Sequence, residues 1–178
     1  MIFKNLKNDI KVFMQKYGYA MPEKHTLGLS GKLSLKAKRL GEDNWINYGV
    51  VSQKKVTDAF ADYIVDALQT TDGQMNTFRW HAFGESTAAE VSSDTLLTAE
   101  TTQVRVIGTS TEGASSYIWS SVATMTFQAA CTVGEHSVFN SSGLSTGTMM
   151  DRSMFDGLPM SSGDQMQYTY QLTVVSSG

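Results

Sequence analysis

The sequence is short of several residue types and patterns, and each shortage narrows what the chain does. A single cysteine, Cys131, among 178 residues leaves no internal disulfide to form, which fits a reducing compartment and excludes a disulfide-stapled scaffold. Only Pro22 and Pro159 interrupt the backbone, so long stretches are free to form regular structure. No run approaches the ~18–20 consecutive apolar residues of a spanning helix, and residues 1–10 lack the continuous apolar core of a secretion signal. The expectation is a protein made and kept inside a cell, without membrane contact. Chemistry is scarce as well. There is no CxxC, HxxxH or HExxH spacing; His25 and His81 stand alone, and Cys131, Glu135 and His136 are close in sequence without paired ligand spacing, so no metal or other cofactor is expected. Gly28-Leu29-Ser30-Gly31-Lys32-Leu33 fails as a phosphate loop, because Thr26 stands where the first glycine belongs and Leu33 where the Mg²⁺-binding hydroxyl belongs. No GxSxG elbow is present either. The expectation is a protein that is not an enzyme.

What is present is alternation. With 41% hydrophobic residues the chain has apolar surface for one domain of roughly 100–200 residues. In the closing run Met166, Tyr168, Tyr170, Leu172 and Val174 alternate with Gln165, Gln167, Thr169, Gln171 and Thr173, the period-two pattern of a strand with one buried face. Residues 117–127 read as a second strand, rich in aromatic and β-branched side chains without charge. A hairpin is expected over 27–40 and 45–51, with further strands at 78–83, 104–107, 131–139 and 147–155, and loops at 84–100, 108–116 and 140–146. Residues 53–69 read as a helix: Val56, Ala59, Phe60, Tyr63, Ile64, Ala67 and Leu68 make one face, and Asp58, Asp62 and Asp66 lie opposite. Either Ser52 or Thr57 can cap it; Thr57 puts Asp58 in the first turn, where the helix dipole favours it, and Ser52 puts Lys54 and Lys55 there, where it does not, which leaves the start open by a turn. Seven or eight strands with one packed helix predict a mainly β fold over residues 27–178, an antiparallel β-sandwich of jelly-roll or Ig-like type.

The net charge of −3 conceals an asymmetry. Residues 1–55 hold 11 of the 14 Lys and Arg against four Asp and Glu, a balance of +7 that leaves −10 on residues 56–178. An acidic remainder argues against nucleic acid as partner. Within the basic part, Phe3, Leu6, Ile10, Phe13 and Tyr17 recur at helical spacing beside Lys4, Lys7 and Lys11, which predicts an N-terminal helical arm and linker over residues 1–26, set off by Pro22. Phe3, Ile10 and Phe13 are expected as apolar anchors on a protein partner, with Lys4, Lys7 and Lys11 beside them and Lys32, Lys36 and Lys38 projecting from one face of the first strand. Lysines on such a face also blunt an edge strand against unwanted pairing.

Three segments resemble something known. Tyr48-Gly49-Val50-Val51-Ser52-Gln53-Lys54-Lys55-Val56-Thr57-Asp58-Ala59-Phe60, then Gly134-Glu135-His136-Ser137-Val138-Phe139, then Gly147-Thr148-Met149-Met150-Asp151-Arg152-Ser153-Met154-Phe155 ahead of Gly163-Asp164-Gln165-Met166-Gln167-Tyr168-Thr169-Tyr170 resemble small virion structural proteins of tailed bacteriophages. The likeness covers residues 45–178 and leaves 1–44 unmatched. It implies a non-enzymatic virion component made in the host cytoplasm, first a capsid decoration or cement protein on the major capsid protein, alternatively a tail, collar or baseplate adaptor. It also implies a homo-oligomer or symmetric array in the particle, and no catalytic residues. A carbohydrate-binding sandwich or depolymerising enzyme is the competing class; it needs a groove with convergent carboxylates and exposed aromatics, and the sequence shows no paired Asp/Glu set on clear strands. Beside the resemblance, the polar residues Glu135, His136, Asp151 and Arg152 among apolar neighbours predict a charge-assisted corner between strands, Asp151 or Glu135 pairing with Arg152, and Asp164 predicts the turn into the last strand.

Overall fold

The computed structural model describes residues 26–69 and 74–177. Among them are nine strands and one α-helix: β1 (Thr26–Lys38), β2 (Ile46–Lys55), α1 (Asp58–Gln69), β3 (Trp80–Gly84), β4 (Val106–Ile107), β5 (Thr109–Glu112), β6 (Ile118–Thr126), β7 (Cys131–Phe139), β8 (Ser153–Met160) and β9 (Gln165–Ser177). They form two antiparallel sheets, a five-stranded one in the order β2-β1-β9-β6-β5 and a four-stranded one in the order β4-β3-β7-β8. Residues Leu29–Val175 make one compact unit.

The alternation of the closing run places β9 inside the larger sheet. Met166, Tyr168, Tyr170 and Leu172 are buried and lie opposite Met125, Ala123, Ser121 and Trp119 of β6 in an unbroken register. One apolar cluster joins Leu33 and Leu35 of β1, Met125 of β6 and Met166 and Tyr168 of β9 to Phe83 of β3, Val133 of β7 and Met160 of β8, so side chains from both sheets share it. A second cluster gathers Phe60 of α1 with Phe78, Val138, Met150, Tyr170 and Leu172. Phe60 and Tyr63 both meet Phe78 edge-on, at ring-centroid distances of 5.0 and 4.9 Å. That geometry suits the quadrupoles of aromatic rings and fixes the buried face of the helix.

Several boundaries differ from the sequence expectation. The helix begins at Asp58, not residue 53, and Gln53, Lys54 and Lys55 continue β2. Thr57 is the cap: its Oγ1 accepts from Phe60 N at 3.2 Å and donates to Met149 O at 2.7 Å. Two lysines in a first turn would oppose the helix dipole, whereas Ser52 finds a ladder place opposite Leu33. The strand expected over 147–155 is displaced, since β8 starts only at Ser153. Met149 and Met150 are buried ahead of it, Met149 by an isolated bridge to Phe139. The stretch 108–116, expected as a loop, contains β5, a fully exposed edge strand. The long irregular connection after β3 is present, broken only by single bridges and the two-residue β4.

Candidate partner-binding surface and buried polar centre

Of the expected partner-binding residues, Phe3, Lys4, Lys7, Ile10, Lys11 and Phe13 lie outside the described residues, as does His25. Lys32, Lys36 and Lys38 lie on β1, where Gly31, Leu33, Leu35 and Ala37 are buried and Lys36 is exposed. Alternation thus sends the lysines to the opposite face. The Lys38 ammonium sits 5.7 Å from the centroid of the Trp45 ring, within reach of a cation–π attraction. Around these lysines is an apolar group that the sequence did not mark as a surface. Leu40, Trp45, Ile46, Tyr48 and Val50 are 72, 38, 51, 37 and 55% exposed, all within one hairpin. β2 is an edge strand of its sheet, and the β1–β2 register shifts after Leu33 and again after Leu35. Gly49 adopts φ +68° there, a conformation that a side chain resists. In that register Ile46 lies opposite Ala37 and Val50 opposite Ser34, and Val51 packs on the core. Tyr48, Val50 and Val51 also face Phe155, Asp156 and Leu158 of β8 across a cavity of about 330 Å³.

The expected corner forms between Glu135 and Arg152. Arg152 Nε donates to Glu135 Oε2 at 2.7 Å, and its terminal nitrogens donate to Asp94, Ser86 and the carbonyls of Ala88 and Ala89. Glu135 further accepts from the backbone N–H groups of Thr98 and Ala99. Burial disfavours the guanidinium charge, but the hydrogen bonds to Glu135 and Asp94 outweigh it and hold it charged. The long loop after β3 is thereby tied to β7 and to the start of β8. Arg105 works the same way on the next loop: it pairs with Glu100 at 2.6 Å, donates to the carbonyls of Ser141 and Thr146, and lies 3.6 Å over the Phe139 ring. Asp164 accepts from Ser161 N, Leu40 N and Arg39. Those bonds, led by the Ser161 N–H, hold its carboxyl below the usual carboxylate range, and they make the expected turn into β9.

The feature hidden from sequence reasoning is a pair of buried histidines from two strands. His81 Nδ1 and His136 Nε2 are 2.9 Å apart, and His81 Nε2 is 2.8 Å from Ser121 Oγ. Ser121 belongs to the five-stranded sheet and both histidines to the four-stranded one, so the chain of hydrogen bonds runs between sheets. The His136 ring stacks on Tyr168 at 4.8 Å and 20°. Burial lowers the His81 pKa to about 3 and holds His136 well below 6.5, with His81 adding to the effect on His136; both rings are neutral at neutral pH. His136 Nδ1 has no partner, and an orphaned buried N–H is rarer than an under-satisfied acceptor. The proton therefore belongs on His136 Nε2, donated to His81 Nδ1, and His81 Nε2–H donates to Ser121. A Cβ on Gly108 would fall inside contact distance of Ser121 Oγ and His81 Nε2, so only glycine lets the backbone pass this pair.

No protein-family model, curated protein or solved structure matches the chain. What the centre can do rests on its own chemistry. A serine bonded to a histidine oriented by a second donor has the connectivity of an activated nucleophile, yet Ser121 and His136 are fully buried and His81 is 1% exposed. A base whose pKa lies near 3 is also mismatched to proton abstraction near neutrality. The arrangement is a hydrogen-bonded polar link in the core that leaves one acceptor, His136 Nδ1, open. Cys131 is held as a thiol, its pKa raised to about 11 by burial and then by the nearby charge of Glu85. Glu135 is committed to Arg152, so Cys131, Glu135 and His136 do not converge. Among the described residues no group of three or more His, Cys, Asp or Glu is placed to hold a metal ion.

Proposed function

We propose that the chain is a non-enzymatic structural protein of a tailed-bacteriophage virion, a capsid decoration or cement protein bound to the major capsid protein, with its two sheets closed as a β-sandwich and residues 1–26 as a basic arm. The observation that carries the reading is the β1–β2 hairpin, where Ile46, Tyr48 and Val50 are exposed on the strand paired with the one that carries Lys32, Lys36 and Lys38. Apolar anchors inside a rim of charged residues, here Lys32, Lys36 and Lys38 with Glu42 and Asp43 in the connecting turn, are the anatomy of a protein-docking surface. The partner that fits is an apolar recess with an acidic rim. Exposed ion pairs are worth only ~0–1 kcal/mol each, whereas fully burying an aliphatic or aromatic side chain contributes ~1.5–3 kcal/mol. The apolar residues, with Phe3, Ile10 and Phe13 of the arm, supply affinity, and the lysines supply steering and register.

Binding kinetics on isolated capsid protein test this division. Reversing Lys32, Lys36 and Lys38 to Glu should slow association and change its salt dependence, while Ile46→Asp with Val50→Asp should raise the dissociation rate sharply. Removing residues 1–20 should leave a folded protein that no longer co-sediments with particles. Unchanged binding in all three variants sinks the reading, and equal, salt-insensitive losses sink the assignment of roles.

A further inference from the structure

A shallow open concavity of about 390 Å³ lies at the β5 edge of the larger sheet, lined by Ser110, Thr111, Glu112, Ser116, Ile118 and Trp119. Its size is at the lower end of small-molecule sites, which run to roughly 300–1,000 Å³. Glu112 is directly opposite Trp119 in the β5–β6 register, which puts the two side chains side by side on one face. The turn that closes this end is held firmly: Gly113 N donates to Ile118 O at 2.7 Å, Ile118 N to Ser115 O at 2.9 Å, and Val174 N to Tyr117 O at 3.0 Å. A Cβ on Gly113 would run into the Ile118 side chain. Trp119 is half-buried, and its ring meets Tyr170 edge-on at 6.2 Å, so the indole is fixed in place while part of it stays open to solvent.

The Glu112 carboxylate differs from most other carboxylates on the described unit. Glu90 pairs with Lys54, Asp94 with Arg152, Glu100 with Arg105, Asp164 with Arg39, and Asp58 accepts from Ser92. Glu112 has no hydrogen-bond or ion-pair partner among the described residues, and neither do the hydroxyls of Ser110, Thr111 and Ser116 or the indole N–H of Trp119. A rigid aromatic surface is thus bordered by an unpaired carboxylate, three unpaired hydroxyls and an unpaired N–H donor.

We propose that this concavity is a saccharide-binding shelf that takes a neutral sugar. A pyranose ring presents an apolar C–H face, which suits the indole, and a rim of hydroxyls that both donate and accept. The carboxylate accepts, the indole N–H donates and the Ser and Thr hydroxyls do either. A purely apolar ligand would leave the carboxylate and hydroxyls desolvated without partners. An anionic ligand would meet Glu112 with no Lys, Arg or His among the lining residues to offset it. The shelf lies on a different strand pair from the β1–β2 hairpin, and its existence does not depend on the virion reading.

Saturation-transfer NMR on the full chain with cellotetraose, maltotetraose and chitotetraose, and with tetragalacturonate as an anionic comparison, tests the site. At least one neutral tetrasaccharide should give a saturable signal at millimolar concentration, with backbone shifts centred on Glu112 and Trp119, and the anionic one should give none. Removing a charged hydrogen-bonding partner costs ~1.5–3 kcal/mol, so Glu112→Ala should weaken binding about tenfold or more. Glu112 is solvent-exposed, so an unchanged unfolding midpoint separates that loss from misfolding. No saturable signal from any neutral probe overturns the proposal, as do shifts centred elsewhere or full affinity in Glu112→Ala.

Discussion

Replacing Asp151 with asparagine keeps the size of a fully buried carboxyl and removes its proton equilibrium. Asp151 Oδ2 accepts from Ser153 Oγ at 2.7 Å, Oδ1 has no partner, and the Tyr170 hydroxyl lies near it without closing a hydrogen bond of ordinary geometry. Burial pushes its pKa up to about 7 from 3.8; the Ser153 and Tyr170 interactions draw it partly back, and the charge of Glu90 adds to the rise. A raised folded-state pKa means that the folded protein keeps a proton the unfolded chain has lost. The associated stability is fully present below pH 3.8 and disappears as pH rises through about 7. At about 1.4 kcal/mol per tenfold change in acidity, the loss sums to about 4 kcal/mol. His81 titrates the other way: with its folded pKa lowered to about 3, its contribution is present above 6.5 and lost as pH falls. That term is common to wild type and variant and cancels in their difference. Urea unfolding of both proteins from about pH 4 to about pH 8 should therefore show Asp151→Asn gaining on wild type by up to about 4 kcal/mol toward alkaline pH, whatever fixed cost the amide carries. A difference that stays flat with pH refutes the reasoning, because Asp151 would then be ionised in the folded state.

Arg152→Met leaves Glu135 buried and unpaired and should cost about 3–5 kcal/mol, with faster amide exchange in residues 86–99 as the readout that ties the loss to the loop. Thr57→Ala removes the helix cap and should destabilise by about 1 kcal/mol, more if the Met149 carbonyl is left without a donor; an unchanged urea midpoint contradicts the cap. Gly108→Ala forces a methyl onto the Ser121–His81 contact and should cost about 1–3 kcal/mol, and a neutral result would mean that the backbone moves aside freely. Below about pH 6 the neutral histidine pair should make wild type progressively less stable, and His81→Gln should flatten that limb of the profile.

Local patterns made the sheets legible. The strict alternation of 165–174 gave β9, and the uncharged β-rich run 117–127 gave β6, because a strand with one buried face writes its period into the sequence. Glu135 with Arg152 and the turn at Asp164 were also readable, since charged residues among apolar neighbours need partners. β5 was not: Thr109-Ser110-Thr111-Glu112 is exposed on both faces, so no burial pattern marks it. Residues 45–51 read as a strand, but the exposure of Ile46, Tyr48 and Val50 is seen only in the structure, on an edge strand whose register against β1 shifts twice. The His81–His136 link was beyond reach because its members are 55 residues apart and are brought together only by the β3–β7 pairing. Of the expected docking residues, the strand lysines alone fall within the described structure, and their apolar neighbours emerged from exposure, not from sequence.

The central claim is membership of a virion, and copy number per particle tests it most directly. On the proposed reading, quantitative mass spectrometry of purified virus particles should find the chain in hundreds of copies, at a fixed ratio to the major capsid protein. Three, six or twelve copies would move it to the tail or neck, and its absence from purified particles would contradict the account.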